Sequence, residues 1–314
     1  MAIPSSYSFT RYLAAKKSID DRALNRHVWG SLGRTLANLP SATPPHVLEV
    51  GAGIGTMLER MLDWGLLAHA AYTGIDADAE NIFEGYRRLP IWAERLGLRV
   101  SESQGLVCLQ GEERQVAIEL QAAEFFDFAA RECGHRLWDV LVAHAFMDLM
   151  DIPRVLPPLF SLLKPGGLFY FTIVFDGATI LQPEIDPAYD ALVETLYHET
   201  MDRRSIADKP SGDSRTGRHL FGHLQTAGAE LLDAGGSDWV VFAGSQGYPA
   251  DEAYFLHYII HTIHTELHGH PELANSRFAN WIARRHAQVE EGSLVYIAYQ
   301  LDFLGRVNKL QDAT

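Results

Sequence analysis

Gly51, Gly53 and Gly55 put three glycines into five residues. That spacing leaves the main chain bare enough for a flat polar ligand to lie directly on its N–H groups, where a Cβ would obstruct it. Asp76 follows Gly51 by 25 residues. A carboxylate at that separation can accept hydrogen bonds from both hydroxyls of a ribose. A second group that could do chemistry is His257, His261, His264 and His268, which fall on one stripe if the segment is helical. Histidines at i and i+4 can share a metal ion. Here, though, Leu256, Ile260, Ile263 and Leu267 make the neighbouring apolar stripe, so the histidines border a buried face, and no metal site is expected.

The elements that must position these groups follow from periodicity. Val47, Leu48 and Val50 read as a buried strand that breaks into the glycines before a helix starting near Thr56, with Gly65 as its stop. Ala70 to Ile75 is the next strand and places Asp76 at its carboxyl end, where open parallel sheets bind ligands. Asp78 reads as the cap of a helix over Ala79 to Leu89. Leu106–Gln110 and Gln115–Leu120 form a hairpin, and Trp138–Ala143 a further strand. A helix then ends in Leu162-Leu-Lys-Pro-Gly-Gly167 ahead of a strand over Leu168 to Val174. Upstream, Arg11 to Lys17 suggests a short helix. Ser18 to Asp21 looks like a capping box opening a second helix with Leu24, Val28, Leu32 and Leu36 on one face, which Pro40, Pro44 and Pro45 end. Beyond Asp176, residues 177–214 and 244–291 are too long for structureless loops and are expected to be helical insertions. Between them lie a helix over Arg215 to Ala227 and a strand over Ala229 to Phe242 interrupted at Gly235-Gly236. A last strand follows over Gly292 to Leu304.

Strand, Glu49 and Gly-x-Gly-x-Gly together resemble the first motif of the class I S-adenosylmethionine-dependent methyltransferases, and the Lys-Pro-Gly-Gly turn before a strand resembles a later one. The resemblance covers Val47 to Val174. It implies a Rossmann-like α/β fold, a seven-stranded, mostly parallel sheet with an antiparallel last strand and helices on both faces. It also implies a single domain over 1–314 with a helical lead-in (1–45) and lid insertions at 177–214 and 244–291. The cofactor it implies is S-adenosylmethionine, held by Glu49, Gly51, Ala52, Gly53, Gly55, Asp76, Ala77, Glu124, Phe125 and His144, with Tyr12 reaching in from the lead-in. In this resemblance Glu124 takes the adenine amine and Phe125 covers the ring, while His144, Phe146, Met147 and Asp148 stand near the methyl group. For a hydroxyl acceptor a base is useful, and His144, Asp148, His219 or His223 could serve. Tyr189, Tyr197, Tyr248, Tyr254, Phe255, Tyr258 and Trp281 give the insertions the composition of a pocket lining; the competing reading is a satellite core or a contact in a homodimer.

The bulk numbers narrow the partners. A net charge of −14 over 314 residues repels a nucleic-acid phosphate surface, so a small-molecule acceptor is expected. Cys108 and Cys133 have no metal-ligand spacing and read as free thiols in a cytoplasmic protein. No apolar run is long enough for a membrane helix. Two rivals share the glycine turn. A nicotinamide-dependent oxidoreductase would want its third glycine one position later, at Thr56, and a non-catalytic binding protein would keep the same cofactor residues.

Overall fold

The computed structural model describes residues 2–39, 43–103, 105–206 and 209–308, so Pro40 lies outside the described residues. The lead-in is two helices, α1 (Phe9–Ala23) and α2 (Arg26–Ala37). The first half then runs β1 (His46–Val50), α3 (Thr56–Asp63), β2 (His69–Asp76), α4 (Ala79–Arg95), β3 (Arg99–Ser103), β4 (Leu106–Gln110), β5 (Gln115–Ala122), α5 (Phe125–Glu132) and β6 (Trp138–His144). After a single turn at Met147–Leu149 come α6 (Ile152–Ser161), β7 (Leu163–Gln182), α7 (Pro187–Asp202), the short pair β8 (Ser205–Ile206) and β9 (Lys209–Pro210), and α8 (Thr216–Thr226). The chain closes with β10 (Ala229–Gly236), β11 (Trp239–Val241), α9 (Glu252–Leu267), α10 (Asn275–Glu290) and β12 (Val295–Val307).

Among the described residues, ten strands form one sheet in the order β10-β12-β7-β6-β1-β2-β5-β4-β3, with β11 also paired to β12. The expected seven are the run from β5 to β10. β1, β2, β5, β6 and β7 are mutually parallel, and β12 lies antiparallel between β7 and β10. Parallel strands covered on both faces should be continuously apolar, and β6 is buried at nearly every position. The additions are β3 and β4, an antiparallel extension of the β5 edge, and β11. The chain leaves β1 towards β2 on one side and reaches β6 on the other. The carboxyl ends of β1 and β6 therefore form the switch point where a ligand crevice opens.

Two local expectations are corrected. α1 runs unbroken through Ser18, so the capping box is not formed: Ser8 caps α1 by accepting from Arg11 N (3.3 Å), and Asn25 caps α2 by accepting from His27 and Val28 N (3.1 Å each). Ser18 instead donates to Glu252 at 2.8 Å, on α9. β7 also outruns its expected end at Val174. Its last residues continue above the core sheet, Thr179 to Gln182 pairing with Ala298 to Val295 of β12, so the first insertion begins as strand. α7, α9 and α10 supply the helical character expected of the insertions.

Candidate active site

A cavity of about 470 Å³ opens at the switch point. Its floor is the β1 turn: Glu49, Gly51, Ala52, Gly53 and Thr56 all line it. Gly51 and Gly53 have φ of +71° and +53°, and a Cβ on Gly51 would sit 2.8 Å from the Phe146 ring, so a side chain there would be strained and would clash. Asp76 ends β2 and holds this turn in shape. One carboxylate oxygen accepts from Gly53 N (2.8 Å), and the other from Asp78 N (2.9 Å) and Asn81 Nδ2 (3.1 Å). Asp78 caps α4 as expected, through Glu80 N, and also lines the cavity, with Ala77 beside it. Glu124 stands at the N-terminus of α5 with no hydrogen bond to the helix, which leaves its carboxylate free at the rim, while Phe125 meets Phe146 edge-on at 6.1 Å.

Glu49 is buried, and Tyr72 on β2 donates its hydroxyl to one carboxyl oxygen. Burial pushes this carboxyl well above the usual range; Arg60 opposes the shift and Asp76 adds to it.

The roof comes from α1, whose Phe9, Leu13 and Lys16 recur at helical spacing and face the cavity, and the front from Phe146, Leu149, Met150, Asp151, Arg154 and Ser211. α1 is fixed by Asp20, which is completely buried. Its oxygens accept from Trp239 Nε1 and His144 Nε2, both at 2.9 Å, and lie 3.3 Å from Lys16 Nζ and 4.0 Å from Arg60 Nη2. Burial works against the charge on Asp20. Lys16, then His144 and Arg60, outweigh it and hold the carboxyl well below its ordinary range.

His144 lines the cavity, but both ring nitrogens are engaged, Nε2 with Asp20 and Nδ1 with Thr172 Oγ1 at 2.8 Å. Burial pushes it down to about 4 against the opposing pull of Asp20, so at neutral pH the imidazole is uncharged, with Nε2–H donating to Asp20 and Nδ1 accepting from Thr172. An unfolded histidine titrates near pH 6.5. Between that value and about 4 the unfolded chain therefore holds the extra proton, and this group's contribution of about 3 kcal/mol is lost as pH falls through that window. Asp302, pushed up to about 6 chiefly by burial, acts in the opposite sense at acid pH. The diagnostic is therefore a difference: urea unfolding of the native protein and His144→Gln should show stabilities converging between pH 6.5 and 4. Parallel profiles would contradict the assignment.

Several expected site residues lie elsewhere. Tyr12 does not line the cavity; its ring stacks on Tyr258 (4.3 Å) and Phe255 (5.6 Å) of α9, because α1 turns this face to the second insertion. Asp148 is in the turn after β6, but it too is absent from the wall, and one of its oxygens is buried without a partner among the described residues. His223 lies on α8 and is not in the wall, and His219 pairs with Asp213 at 2.5 Å. Gly55 supports the turn from behind, its Cα facing Trp92. The aromatic residues of the two insertions do not line this cavity either. Tyr254 and Tyr258 pack on Tyr7 and α1, while Tyr197 and Trp281 border a separate cavity of about 250 Å³ between β7, α7, α9 and α10. Of the histidine stripe, His257 pairs with His286 (Nδ1 to Nδ1, 2.9 Å), and His261 stacks on Tyr7 at 4.1 Å.

Sequence reasoning missed Lys16, Asp20, Asn81 and the segment from Leu149 to Arg154. Helical spacing of Phe9, Leu13 and Lys16 was a signal for the first, but nothing local marks Asp20 as an acceptor for His144 and Trp239, its hydrogen-bond partners more than a hundred residues away. Among the described residues no helix is long and apolar enough to cross a membrane.

The family described as a methyltransferase domain matches residues 24–209. Among solved structures, a SAM-dependent methyltransferase from Thiobacillus denitrificans, in complex with S-adenosyl-L-homocysteine, is similar over 98% of this chain and 100% of that one, at 13% identity and a TM-score of 0.47. A geranyl diphosphate C-methyltransferase from Streptomyces coelicolor is similar over 88% and 75%, at 10% identity and a TM-score of 0.40. No curated protein matches the chain.

Proposed function

Because this chain belongs to the methyltransferase-domain family, we propose that its cavity binds S-adenosylmethionine and that the protein moves the methyl group to a small-molecule acceptor. The observation that carries this reading is the convergence of the bare Gly51–Gly53 turn, the Asp76 carboxylate and the Glu124–Phe125 rim on one cavity. Those residues fit the group: an open main chain for the sulfur-bearing tail, an acceptor for ribose hydroxyls, and an acceptor beside an aromatic face for a purine. Bound S-adenosylmethionine supplies an electrophilic methyl group on sulfur.

What this chain's residues do in that reaction is mostly alignment. Asp76 orients the nucleoside, and Leu13, Phe146 and Met150 line the wall with apolar surface that limits water. Asp20 and Thr172 engage both nitrogens of His144, so His144 acts in the wall and not as the base. That favours an acceptor that arrives with its nucleophilic electron pair already free, such as an uncharged amine or an ionised oxygen or sulfur. A small and largely apolar acceptor is supported by the mouth, where Phe9 and Leu149 stay 47% and 40% exposed. The first insertion reaches this cavity through Ser211, and α1 forms most of the roof, so lid duty falls to these two and the second insertion braces α1.

Titration calorimetry tests the cofactor. S-adenosylmethionine and S-adenosylhomocysteine should both bind, and NAD should give no heat. Saturable NAD binding without a response to either sulfur compound would refute the proposal.

A further inference from the structure

Two residues of β7 face one residue of β12. Phe171 pairs with Phe303 and Val174 with Leu301, so Thr172 and Ile173 share Asp302 as their partner and form a β-bulge. Ile173 is buried with φ of +55°, a conformation that a β-branched residue adopts only under constraint. The constraint is a single peptide plane held at both ends. Its N–H, from Ile173, donates to Asp302 Oδ1 at 2.9 Å, and its carbonyl, from Thr172, accepts from Ala145 N at 2.8 Å. Thr172 also lies in register beside His144 of β6 and gives its hydroxyl to His144 Nδ1. Both His144 and Ala145 line the cavity. The second Asp302 oxygen accepts from Asn25 N at 2.8 Å, at the junction of α1 with α2, so one carboxylate ties the cavity wall to the helix that roofs it.

We propose that Asp302 is a positioning residue for this cavity: by holding the Thr172–Ile173 bulge against its strain it keeps the Thr172 hydroxyl on His144, and through Asn25 it fixes the roof over the same wall. This rests on the nucleoside reading above for the ligand affected, and extends it to a residue that does not itself line the cavity. The burial of Asp302 argues for such a role. It is completely buried, and no cation among the described residues pairs with it. A buried carboxylate without a counter-charge is costly, and a regular ladder would satisfy the same Ile173 N–H with a β12 carbonyl and no charge at all. Bulges and left-handed backbone persist beside active sites where they aim a side chain. The side chain aimed here is the hydroxyl that fixes which nitrogen of His144 carries the proton.

The test reads S-adenosylhomocysteine affinity by calorimetry and the His144 imidazole by nitrogen NMR, assigned with His144→Gln. Asp302→Asn keeps the shape but turns an amino group on one of the two N–H donors. It should weaken S-adenosylhomocysteine by about tenfold and lose the Nε2–H signature of His144. Ile173→Gly removes the strain, so alone it should bind within about twofold of the native protein, and added to Asp302→Asn it should restore most of the lost affinity. A role in stability alone gives the opposite result, because losing a buried side chain would deepen the defect. Thr172→Val leaves the carboxylate in place and should reproduce the loss even if Asp302→Asn does not fold. Unchanged affinity in Thr172→Val or in folded Asp302→Asn, or a loss that Ile173→Gly does not repair, would overturn the assignment. If the native protein binds no S-adenosylhomocysteine, the nucleoside reading fails by itself. The His144 signature of the ligand-free protein then decides the role of Asp302: retained in Asp302→Asn it refutes that role, and lost but restored by Ile173→Gly it supports it.

Discussion

Asp20→Ala should lower the unfolding free energy by about 3–5 kcal/mol, because it strands several buried groups at once. Lys16 loses its counter-charge and the Trp239 and His144 ring N–H groups lose their acceptor, while Arg60, 4.0 Å away, keeps its 2.6 Å pair with Asp21. A buried ion pair adds little compared with a well-packed apolar replacement, but removing one member leaves the others desolvated and unpaired, which is where the cost arises. Asp20→Asn keeps an acceptor for Trp239 and should fall between the two. Urea unfolding monitored by far-UV circular dichroism measures both. A loss below about 1 kcal/mol for the alanine variant would mean that water or a rotated neighbour compensates the cluster.

Asp76→Ala should weaken S-adenosylhomocysteine binding by about a hundredfold while the protein stays folded. Two charge-assisted hydrogen bonds to ribose hydroxyls are worth about 1.5–3 kcal/mol each, less when they share a carboxylate, and every 1.4 kcal/mol is a decade in affinity. The geometry adds a second loss. The same carboxylate holds Gly53 N and Asn81, so alanine also frees the turn on which the ligand would lie. Asp76→Asn should retain more affinity, since an amide oxygen can still accept. Calorimetry alongside a melting curve separates the effects, and unchanged affinity in the alanine variant would place the ribose elsewhere.

The part of the site that could be read directly from sequence is the part built by neighbours in the chain. Glu49, the glycine turn and Asp76 are fixed by strand, turn and helix signals within thirty residues, and the structure brings Glu49, Gly51, Gly53 and Asp76 to one cavity. The roof was illegible for a matching reason. Ser18 to Asp21 satisfies a local capping pattern, yet Ser18 and Asp20 are claimed by Glu252, Trp239 and His144, contacts that only tertiary packing creates. Those contacts run α1 straight through the supposed boundary. The aromatic residues of the second insertion were ambiguous in another way, since Tyr254, Phe255 and Tyr258 have the composition of a pocket wall and of a helix interface alike. Packing against α1 resolved them as the latter. The extra strand β3 escaped notice because every residue in it is exposed, so no alternation of apolar and polar positions marks it.

The placement of β12 has a consequence for how the chain matures on the ribosome. This strand fills the slot between β7 and β10 and also carries β11, yet it is made more than a hundred residues after β7 ends. Until it emerges from the exit tunnel, one whole edge of β7, rich in Phe169, Phe171, Ile173 and Val174, offers unpaired backbone to any passing strand. The glycine turn and Asp76 can assemble early, since β1, β2 and their helices are contiguous in synthesis. Nascent chains stalled before β12 should therefore be the species that aggregates or recruits a chaperone, and release of the complete strand should end that vulnerability.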